Sequence, residues 1–507
     1  MGIKDIEFIS DANPYQRLGI RKFNVKLMAR ITGIMLLYLA ASLILPLALS
    51  IYYGDGEQFD LLLSMTAILI VGLFLRNMVG RRPEYDLQEN ESYWVTIIIW
   101  LAIPICGAIP YLFTGSISSV TDALFESYSG FTTTGSSILA APQDLPTSIL
   151  AYRAFTQWVG GLGLMLFVVA ILRKLTFGAS ELYEAEFSGT QERKLHPRIS
   201  KSVTRLWTIY TILTVLLFIL LMIQGTSPID SFCLACSTVS TGGFTTHTDG
   251  LAILNNNSLV VIVIFMFFSG INVALLYRLF TLKLRHIGRD EELRTYLTLF
   301  TIGVIICTVA FFSSGNPIDT SVRYSIFHIA STMSTCGFFL PKPAHWSFLV
   351  STLTFVLIIL GASAGSTGGG IKLRRIIILH KYIYNYFTRM LHPNAVFKVK
   401  VNGQVVEQEY ITKIFAYVFL YIAFIIGGAF ILTLCDSSIP NAVCMSAANI
   451  SNLGPSPLIN NLGGNLDYAM LPNCAKWTLT LLMLAGRLEL FALIAVCSPA
   501  YWKRGKR

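Results

Sequence analysis

The chain carries little charge for its length. Only 13% of its 507 residues are Asp, Glu, Lys or Arg, and 54% are hydrophobic, whereas soluble proteins carry about 25% charged residues. This shortage excludes an ordinary soluble domain and predicts an integral membrane protein. Ten apolar runs approach the length that crosses a bilayer, about 17 to 25 residues. They lie at about 31–53, 60–78, 94–113, 149–172, 204–224, 258–282, 296–313, 346–381 with an interruption, 411–434 and 474–498.

Two other features are missing. Cys233 and Cys236 have the C-x-x-C spacing, but no second pair or nearby histidine completes a zinc site. The nine cysteines lie mostly within or beside apolar runs, so we interpret them as small buried residues. The basic stretch before Ile31 has no small-residue cleavage site, and we therefore expect the first helix to be retained.

The net charge of +10 reflects topology rather than nucleic-acid binding. If ten spans are threaded through a membrane, every basic cluster falls on one side, which the positive-inside rule makes cytoplasmic. This predicts cytoplasmic N- and C-termini. The clusters are Lys22–Arg30, Arg76–Arg82, Arg173–Arg205, Arg278–Arg294, Lys372–Lys381 and Lys503–Arg507. The long Arg173–Arg205 cluster is also a candidate contact surface for anionic lipid or for a partner.

A short polar pattern recurs four times on the opposite side, between apolar runs. Each copy ends in glycine and has a hydroxyl residue three positions earlier. We call the copies signatures 1 to 4: Thr132-Thr133-Thr134-Gly135, Ser240-Thr241-Gly242-Gly243, Ser334-Thr335-Cys336-Gly337 and Ser451-Asn452-Leu453-Gly454. Four loops of this kind can surround one axis, as the backbone of an ion-selectivity filter does.

A short apolar segment precedes each signature. Such segments cannot cross a bilayer, and we predict four re-entrant half-helices whose negative C-terminal ends point at the signatures. The predicted half-helices 1 to 4 are Ala123–Ser129, Ser231–Ser237, Ser325–Ser331 and Ala442–Ala448, opened by the polar residues Asp122, Asp230, Tyr324 and Asn441. Close helix packing through small residues is the alternative, and it explains one copy better than four in register.

The predicted fold is an all-α polytopic membrane protein around a pseudo-fourfold pore. Two extra N-terminal spans precede four repeats of span, half-helix, filter loop and span. The predicted units are residues 1–80, then repeats 81–175, 176–290, 291–385 and 386–507. Carbonyl and hydroxyl oxygens without carboxylates favour a weakly hydrated monovalent cation over calcium or magnesium. We therefore predict that the signature residues bind a potassium-like ion.

Two features suggest obstruction of this pore. The run of small residues from Gly361 to Gly370 interrupts the eighth apolar run, and we predict a flexible gating loop beneath the filter, with a cytoplasmic linker as the alternative. Its predicted gate residues are Gly361, Gly365, Ser366, Thr367, Gly368, Gly369, Gly370 and the following Lys372. Arg487 lies in the last run, where an arginine costs at least about 2.5 kcal/mol. We expect it to form either an electrostatic barrier below the filter or an internal ion pair, with Glu489 of a second copy or with another helix.

These motifs resemble the Trk/Ktr/HKT superfamily of potassium transporters, and the two additional N-terminal spans are similar to its TrkH-type branch. The resemblance covers nearly the whole chain. It rests on Thr132–Ser136, Ser237–Phe244, Ser331–Phe338, Ser451–Pro455, Gln157–Gly163, Asn272–Tyr277, Gly361–Lys372 and Gly486–Glu489. The chain departs from a uniform glycine signature at Cys336 and Leu453, so the predicted filter is not fully symmetric.

The resemblance implies potassium uptake across a bacterial inner membrane, with K+ bound in the filter. It implies a homodimer with one pore per protomer, an intramembrane gating loop and Arg487 as a barrier. It also implies a cytosolic TrkA-like regulatory subunit, and NAD or ATP would bind that partner rather than this chain.

Three other hypotheses for the function remain. A cation symporter with alternating access also contains broken helices, although such folds usually have two inverted halves. An intramembrane serine hydrolase would use the G-x-S-x-G sequence at Gly361–Gly365, but it lacks the expected strand and histidine context. A membrane receptor leaves the fourfold register unexplained. Separately, alternation around Asn402-Gly403 within 397–406 predicts a cytoplasmic β-hairpin, either a docking site or a linker.

Overall fold

The computed structural model describes residues 25–78, 89–161, 196–280, 288–340, 348–392, 397–454, 468–488 and 490. Both termini, most of the basic cluster Arg173–Arg205 and Glu489 lie outside these residues. Helices α1 to α3, in the predicted N-terminal unit, are Val25–Ser42, Ile44–Tyr53 and Gln58–Asn77. The first repeat contains Glu89–Gly107 (α4), Ile109–Phe113 (α5), Val120–Phe131 (α6) and Thr147–Gly161 (α7).

The second repeat contains His196–Ile223 (α8), Pro228–Val239 (α9), Asn256–Ser269 (α10) and Val273–Phe280 (α11). The third contains Glu291–Ser313 (α12), Ile318–Met333 (α13), Phe348–Leu360 (α14) and Leu373–Leu391 (α15). The fourth follows strands Lys400–Val401 (β1) and Gln404–Val405 (β2), and contains Gln408–Leu434 (α16), Ile439–Ile450 (α17) and Asn473–Arg487 (α18). Because α15 continues to Leu391, the predicted repeat limit at residue 385 falls inside a helix.

Six helical segments among the described residues are long and apolar enough to cross a membrane. The predicted span 258–282 contains a break, with a bend of 112° between α10 and α11. The break follows Gly270, where an added Cβ would lie 2.5 Å from the Tyr296 hydroxyl. Asn272 Oδ1 accepts the Ala274 N–H at 2.8 Å, and Val273 N–H donates to Gly365 at 3.1 Å. The bend therefore accommodates the loop between α14 and α15.

The four half-helices exist, but their predicted opening residues are wrong. Half-helices 1 to 4 are α6, α9, α13 and α17, preceded by the cap residues Ser119, Ser227, Pro317 and Ser438. Ser119 Oγ accepts the N–H of Asp122, and Ser227 Oγ accepts that of Asp230. Both aspartates therefore occupy the third helical position, where their charge stabilises the positive end of the dipole. Tyr324 lies inside half-helix 3, which has 16 residues instead of 12.

The predicted β-hairpin is confirmed. Strands β1 and β2 pair antiparallel, with Lys400 opposite Val405 and Val401 opposite Gln404. Asn402 and Gly403 have φ of 51° and 80°, as a two-residue type I′ turn requires. The hairpin's inner face packs in a separate apolar cluster of Val399, Val401, Val406, Ile378, Ile411 and Ile414.

Candidate ion-binding site

All four half-helices end in the same way. In signature 1, Thr133 N–H donates to Gly130 at 3.0 Å and Thr134 N–H donates to Ser129 at 2.9 Å, the two bonds of a Schellman motif. The equivalent bonds in the other signatures measure 2.8 to 3.1 Å. The left-handed residues of the four motifs are Thr133, Thr241, Thr335 and Asn452, with φ between 51° and 57°. Glycine usually occupies this position, and its replacement here hid the motif in the sequence.

The signature glycines lie two residues further on, and their contacts join the four loops. An added Cβ at Gly135, Gly243 or Gly454 would lie 2.1 Å from a carbonyl oxygen of another signature. Those oxygens belong to Gly242, Cys336 and Thr134, in that order. Signature 1 thus abuts signature 2, signature 2 abuts signature 3, and signature 4 abuts signature 1. The four loops therefore adjoin in the order 4, 1, 2, 3, and we call this set the ring. The carbonyls of Thr134, Gly242 and Cys336 lie between neighbouring loops.

The residues that precede the signature glycines, such as Gly242 and Cys336, have different side chains because their neighbours outside the ring differ. At Gly242, an added Cβ would lie 2.4 Å from the Gln157 amide, so this side chain occupies the space that a larger residue would need. Gln157 Nε2 donates to the Gly242 carbonyl at 2.7 Å, and its Oε1 accepts from Ser237 at 2.7 Å. Cys336 lies instead with its Sγ 3.9 Å from the Ser237 carbonyl. The departure at Cys336 therefore leaves the backbone ring intact.

The hydroxyl residues three positions before the glycines have a role in ending the helices. Thr132 Oγ1 donates to the Tyr128 carbonyl and Ser451 Oγ to the Ala447 carbonyl, both at 2.7 Å. Ser240 and Ser334 make corresponding bonds to their own half-helices at 3.2 Å. These hydroxyl groups thus donate to carbonyls of their own half-helices. The repeated sequence pattern did not predict this role.

The loop Gly361–Gly370 lies directly against the ring. The hydroxyl oxygens of Thr367 and Thr241 are 3.3 Å apart, and Gly369 N–H donates to Thr335 Oγ1 at 2.8 Å. An added Cβ on Gly369 would lie 2.0 Å from the Ser451 carbonyl oxygen. The loop therefore contacts signatures 2, 3 and 4. Of its predicted residues, Gly361, Gly365 and Gly370 have φ of 70° to 79°, and Lys372, just after it, has φ of 75°.

Arg487 completes the contact between this loop and the ring. Its Nη1 donates to the Thr367 carbonyl at 3.1 Å and to Thr133 Oγ1 at 3.3 Å. Its Nη2 donates to the carbonyls of Gly160 and Gly161. The guanidinium thus joins signature 1 to the loop and lies at the level of the Thr133 side chain. Glu489, the partner named for the alternative ion pair, lies outside the described residues.

A buried ion pair behind signature 1 escaped the sequence analysis. Arg153 Nε lies 2.7 Å from Glu126 Oε1, and the two side chains are 3% and 0% exposed. Glu126 also accepts from Ser137 Oγ and Ile138 N–H, each at 3.0 Å. Arg153 Nη1 donates to the Thr245 carbonyl at 3.1 Å. The pair therefore joins half-helix 1 to α7 and to the segment that follows signature 2. The sequence did not predict this ion pair, because its two residues are far apart in the chain.

Replacing Glu126 by glutamine is expected to destabilise the protein strongly. The change leaves Arg153 buried without its carboxylate, and breaking a buried pair in this way costs about 3 to 5 kcal/mol. Thermal unfolding of the purified protein in detergent measures the effect. Glu409→Gln is the matched control, because Glu409 pairs with Lys413 where both side chains are more than half exposed, and such a pair is worth at most about 1 kcal/mol. Equal melting temperatures for the two variants would contradict the assignment.

Comparison with known proteins identifies the family. The family model TrkH, described as a cation transport protein, matches residues 64–504. The chain belongs to the TrkH family. It is 32% identical to the Trk system potassium uptake protein TrkH of Salmonella typhimurium over 485 residues, which cover 94% of this chain and 99% of that relative. It is 27% identical to the Trk system potassium uptake protein TrkG of Escherichia coli, over 95% of this chain and 99% of TrkG.

The fold agrees with this membership. The crystal structure of the potassium transporter TrkH from Vibrio parahaemolyticus superimposes with a TM-score of 0.84 at 27% identity, covering 94% of this chain and all of that one. The TrkH-family chain is thus a multi-pass, largely helical membrane protein. The relatives are named as transporters rather than as enzymes. His328, which lies in half-helix 3, hydrogen-bonds the Thr354 hydroxyl at 2.7 Å.

Proposed function

We propose that this chain takes up potassium through a pore whose filter is the ring of signatures 1 to 4. The observation that carries the proposal is the set of close contacts from Gly454 to Thr134, from Gly135 to Gly242 and from Gly243 to Cys336, which joins all four signatures. The names of the TrkH and TrkG relatives support potassium as the ion. The filter residues are those of the four signatures.

The chemistry of the ring suits a weakly hydrated cation. Its oxygens are backbone carbonyls and hydroxyls, which replace a hydration shell without the fixed negative charge that divalent cations favour. The nearby carboxylate of Glu126 is neutralised by Arg153. The four half-helices direct the negative ends of their dipoles at the ring, which adds a modest attraction for a cation.

The proposed gate is the loop Gly361–Gly370 with Lys372 and Arg487. The loop contacts signatures 2, 3 and 4, and Arg487 contacts signature 1. These contacts support the proposal that the gate obstructs the pathway on one side of the filter. Opening requires the loop to leave Thr335 and Arg487 to release the Thr367 carbonyl.

The chain acts, in this proposal, in a bacterial inner membrane with both termini in the cytoplasm. It forms a homodimer with one pore per protomer. A cytosolic TrkA-like subunit, which binds NAD or ATP, regulates opening. The Trk system named for the relatives supports such an assembly. On the proposed cytoplasmic side, α15 and the hairpin offer surface to a partner, since Tyr384, Phe387 and Leu391 are each at least 60% exposed.

Complementation tests the function. The chain is expected to restore growth of a bacterium without its own potassium uptake at low potassium concentration. In reconstituted vesicles, uptake of potassium and rubidium should exceed that of sodium and should follow the membrane potential after the proton gradient is collapsed. A well-expressed protein that gives no rescue would contradict potassium uptake. Flux that stops with the proton gradient would instead favour the symporter alternative.

A further inference from the structure

The first half of the loop Gly361–Gly370 has partners outside the ring. Ser363 N–H donates to the Gly270 carbonyl at 3.1 Å, just before the break between α10 and α11. Ala364 N–H donates to Glu292 Oε1 at 2.5 Å, and these two residues are 5% and 4% exposed. The loop is therefore bound to a buried carboxylate in addition to its contacts with the ring.

The position of Glu292 at a helix start does not by itself require burial. Helix α12 begins at Glu291, and Asp290 caps it by accepting the Leu293 N–H on Oδ1 at 3.0 Å. Asp290 and Glu291 are partly exposed and already place negative charge at the positive end of the helix dipole. A carboxylate that leaves water is destabilising unless it is paired or hydrogen-bonded. Accepting the Ala364 N–H offsets part of this cost, so the contact with the loop accounts for the burial of Glu292.

The turn of the β-hairpin binds the same end of α12. Asn402 Nδ2 donates to Asp290 Oδ2 at 2.8 Å, and Glu291 N–H donates to Asn402 Oδ1 at 2.9 Å. Lys381 of α15 forms a salt bridge with Glu291 and donates to the Lys400 carbonyl at 2.8 Å. These bonds fix the hairpin to the two residues that precede Glu292.

Both sets of contacts meet in one turn of α12. Asn402 binds Asp290 and Glu291, and the next residue, Glu292, binds the loop. Because consecutive residues of a helix are fixed relative to one another, a displacement of the hairpin turn shifts Glu292 as well. The hairpin is therefore connected to the loop through the start of α12.

We propose that Glu292 is a positioning residue for the gate. It holds the loop against the filter, and the turn at Asn402 fixes the helix end that carries it. The inference rests on the proposed function and specifies how the closed state is maintained. Loss of the bond to Ala364 frees the first half of the loop, which lets Thr367 and Gly369 leave the ring. The contacts that join the four signatures involve other residues, so the filter keeps its selectivity when this hold is released.

Hydrogen–deuterium exchange of the purified full chain tests the hold on the loop, because a protected amide exchanges when its hydrogen bond opens. Glu292→Ala removes the acceptor, and peptides that contain Ala364 should exchange about tenfold faster. Glu292→Gln keeps an acceptor oxygen and should exchange like the unmodified chain. Unchanged exchange in Glu292→Ala, equal acceleration in both variants, or acceleration that extends equally through α16 and so marks general unfolding, overturns the proposal.

Asn402→Gly tests the connection with the hairpin without altering the buried carboxylate. Glycine keeps the left-handed turn but lacks the side chain that binds Asp290 and Glu291, so peptides that contain Ala364 should exchange several-fold faster here too. The matched control is Gln404→Thr, because Gln404 is an exposed residue of the same hairpin, and it should leave the exchange of the loop unchanged. Equal exchange in the two hairpin variants overturns the role given to Asn402.

Rubidium flux into vesicles at a fixed membrane potential tests the effect on the gate. Glu292→Ala and Asn402→Gly should raise the flux several-fold at an unchanged ratio of rubidium to sodium, whereas Glu292→Gln and Gln404→Thr should not raise it. Faster exchange of the loop with unchanged or lower flux overturns the closing role of Glu292. A chain that carries neither potassium nor rubidium in any variant contradicts the proposed function instead, and the exchange measurement still decides whether Glu292 positions the loop.

Discussion

Replacing Gly243 with alanine is expected to lower potassium uptake strongly while the protein still reaches the membrane. Gly243 has a φ of 78°, a conformation that costs other residues about 1 to 3 kcal/mol. The added Cβ would also lie 2.1 Å from the Cys336 carbonyl oxygen. The loop must shift, and the carbonyls between signatures 2 and 3 move with it. Since 1.4 kcal/mol corresponds to a factor of about ten, the backbone cost alone should lower uptake by about fivefold or more.

The matched control is Gly427→Ala. Gly427 lies in α16, where an added Cβ meets nothing within 4 Å, and alanine is the better helix former. Rubidium uptake into vesicles, normalised to protein, measures both variants, and competition by sodium measures selectivity. If Gly243→Ala matches Gly427→Ala in rate and in sodium competition, the ring is not the filter.

Local sequence patterns predicted the presence of half-helix 4 and of the hairpin. Residues 402 and 403 predict the turn directly, because Asn-Gly favours the two left-handed conformations of a type I′ turn. The N-cap residues of the half-helices were harder to predict. Asp122 and Asp230 are polar residues at a helix start, but so are Ser119 and Ser227, and only the hydrogen bonds from the backbone distinguish a cap from a third position.

Other parts of the site depend on contacts between distant segments. Nothing near Gly242 in the chain indicates that Gln157 occupies its side-chain space, and nothing near Glu126 indicates Arg153. The Schellman motifs were hidden because Thr133 and its equivalents stand where glycine is expected, so the repeated glycines appeared to be the only special backbone positions. The break after Gly270 was likewise hidden in an apolar run, because its cause is the loop that docks against it.

Arg487 shows how backbone contacts and charge combine at the proposed gate. The side chain holds the Thr367 carbonyl, Thr133 Oγ1 and the carbonyls of Gly160 and Gly161 together, so it fixes the loop against signature 1. It also places a positive charge beside the proposed pathway. At about 5 Å and an effective dielectric constant of 20, two unit charges repel by about 3 kcal/mol. Both effects oppose the passage of a cation.

Two substitutions of Arg487 separate these effects. Arg487→Gln removes the charge and keeps a polar side chain, and it should raise potassium flux into vesicles several-fold at a fixed membrane potential. Arg487→Lys keeps the charge but lacks the planar fork that reaches several carbonyls at once, so its flux should stay near that of the unmodified chain if repulsion forms the barrier. Equal increases in both variants would assign the barrier to the contacts alone. Because the guanidinium also stabilises those carbonyls, the abundance of each folded variant is measured first, and a normal abundance with unchanged flux in both would remove Arg487 from the gate.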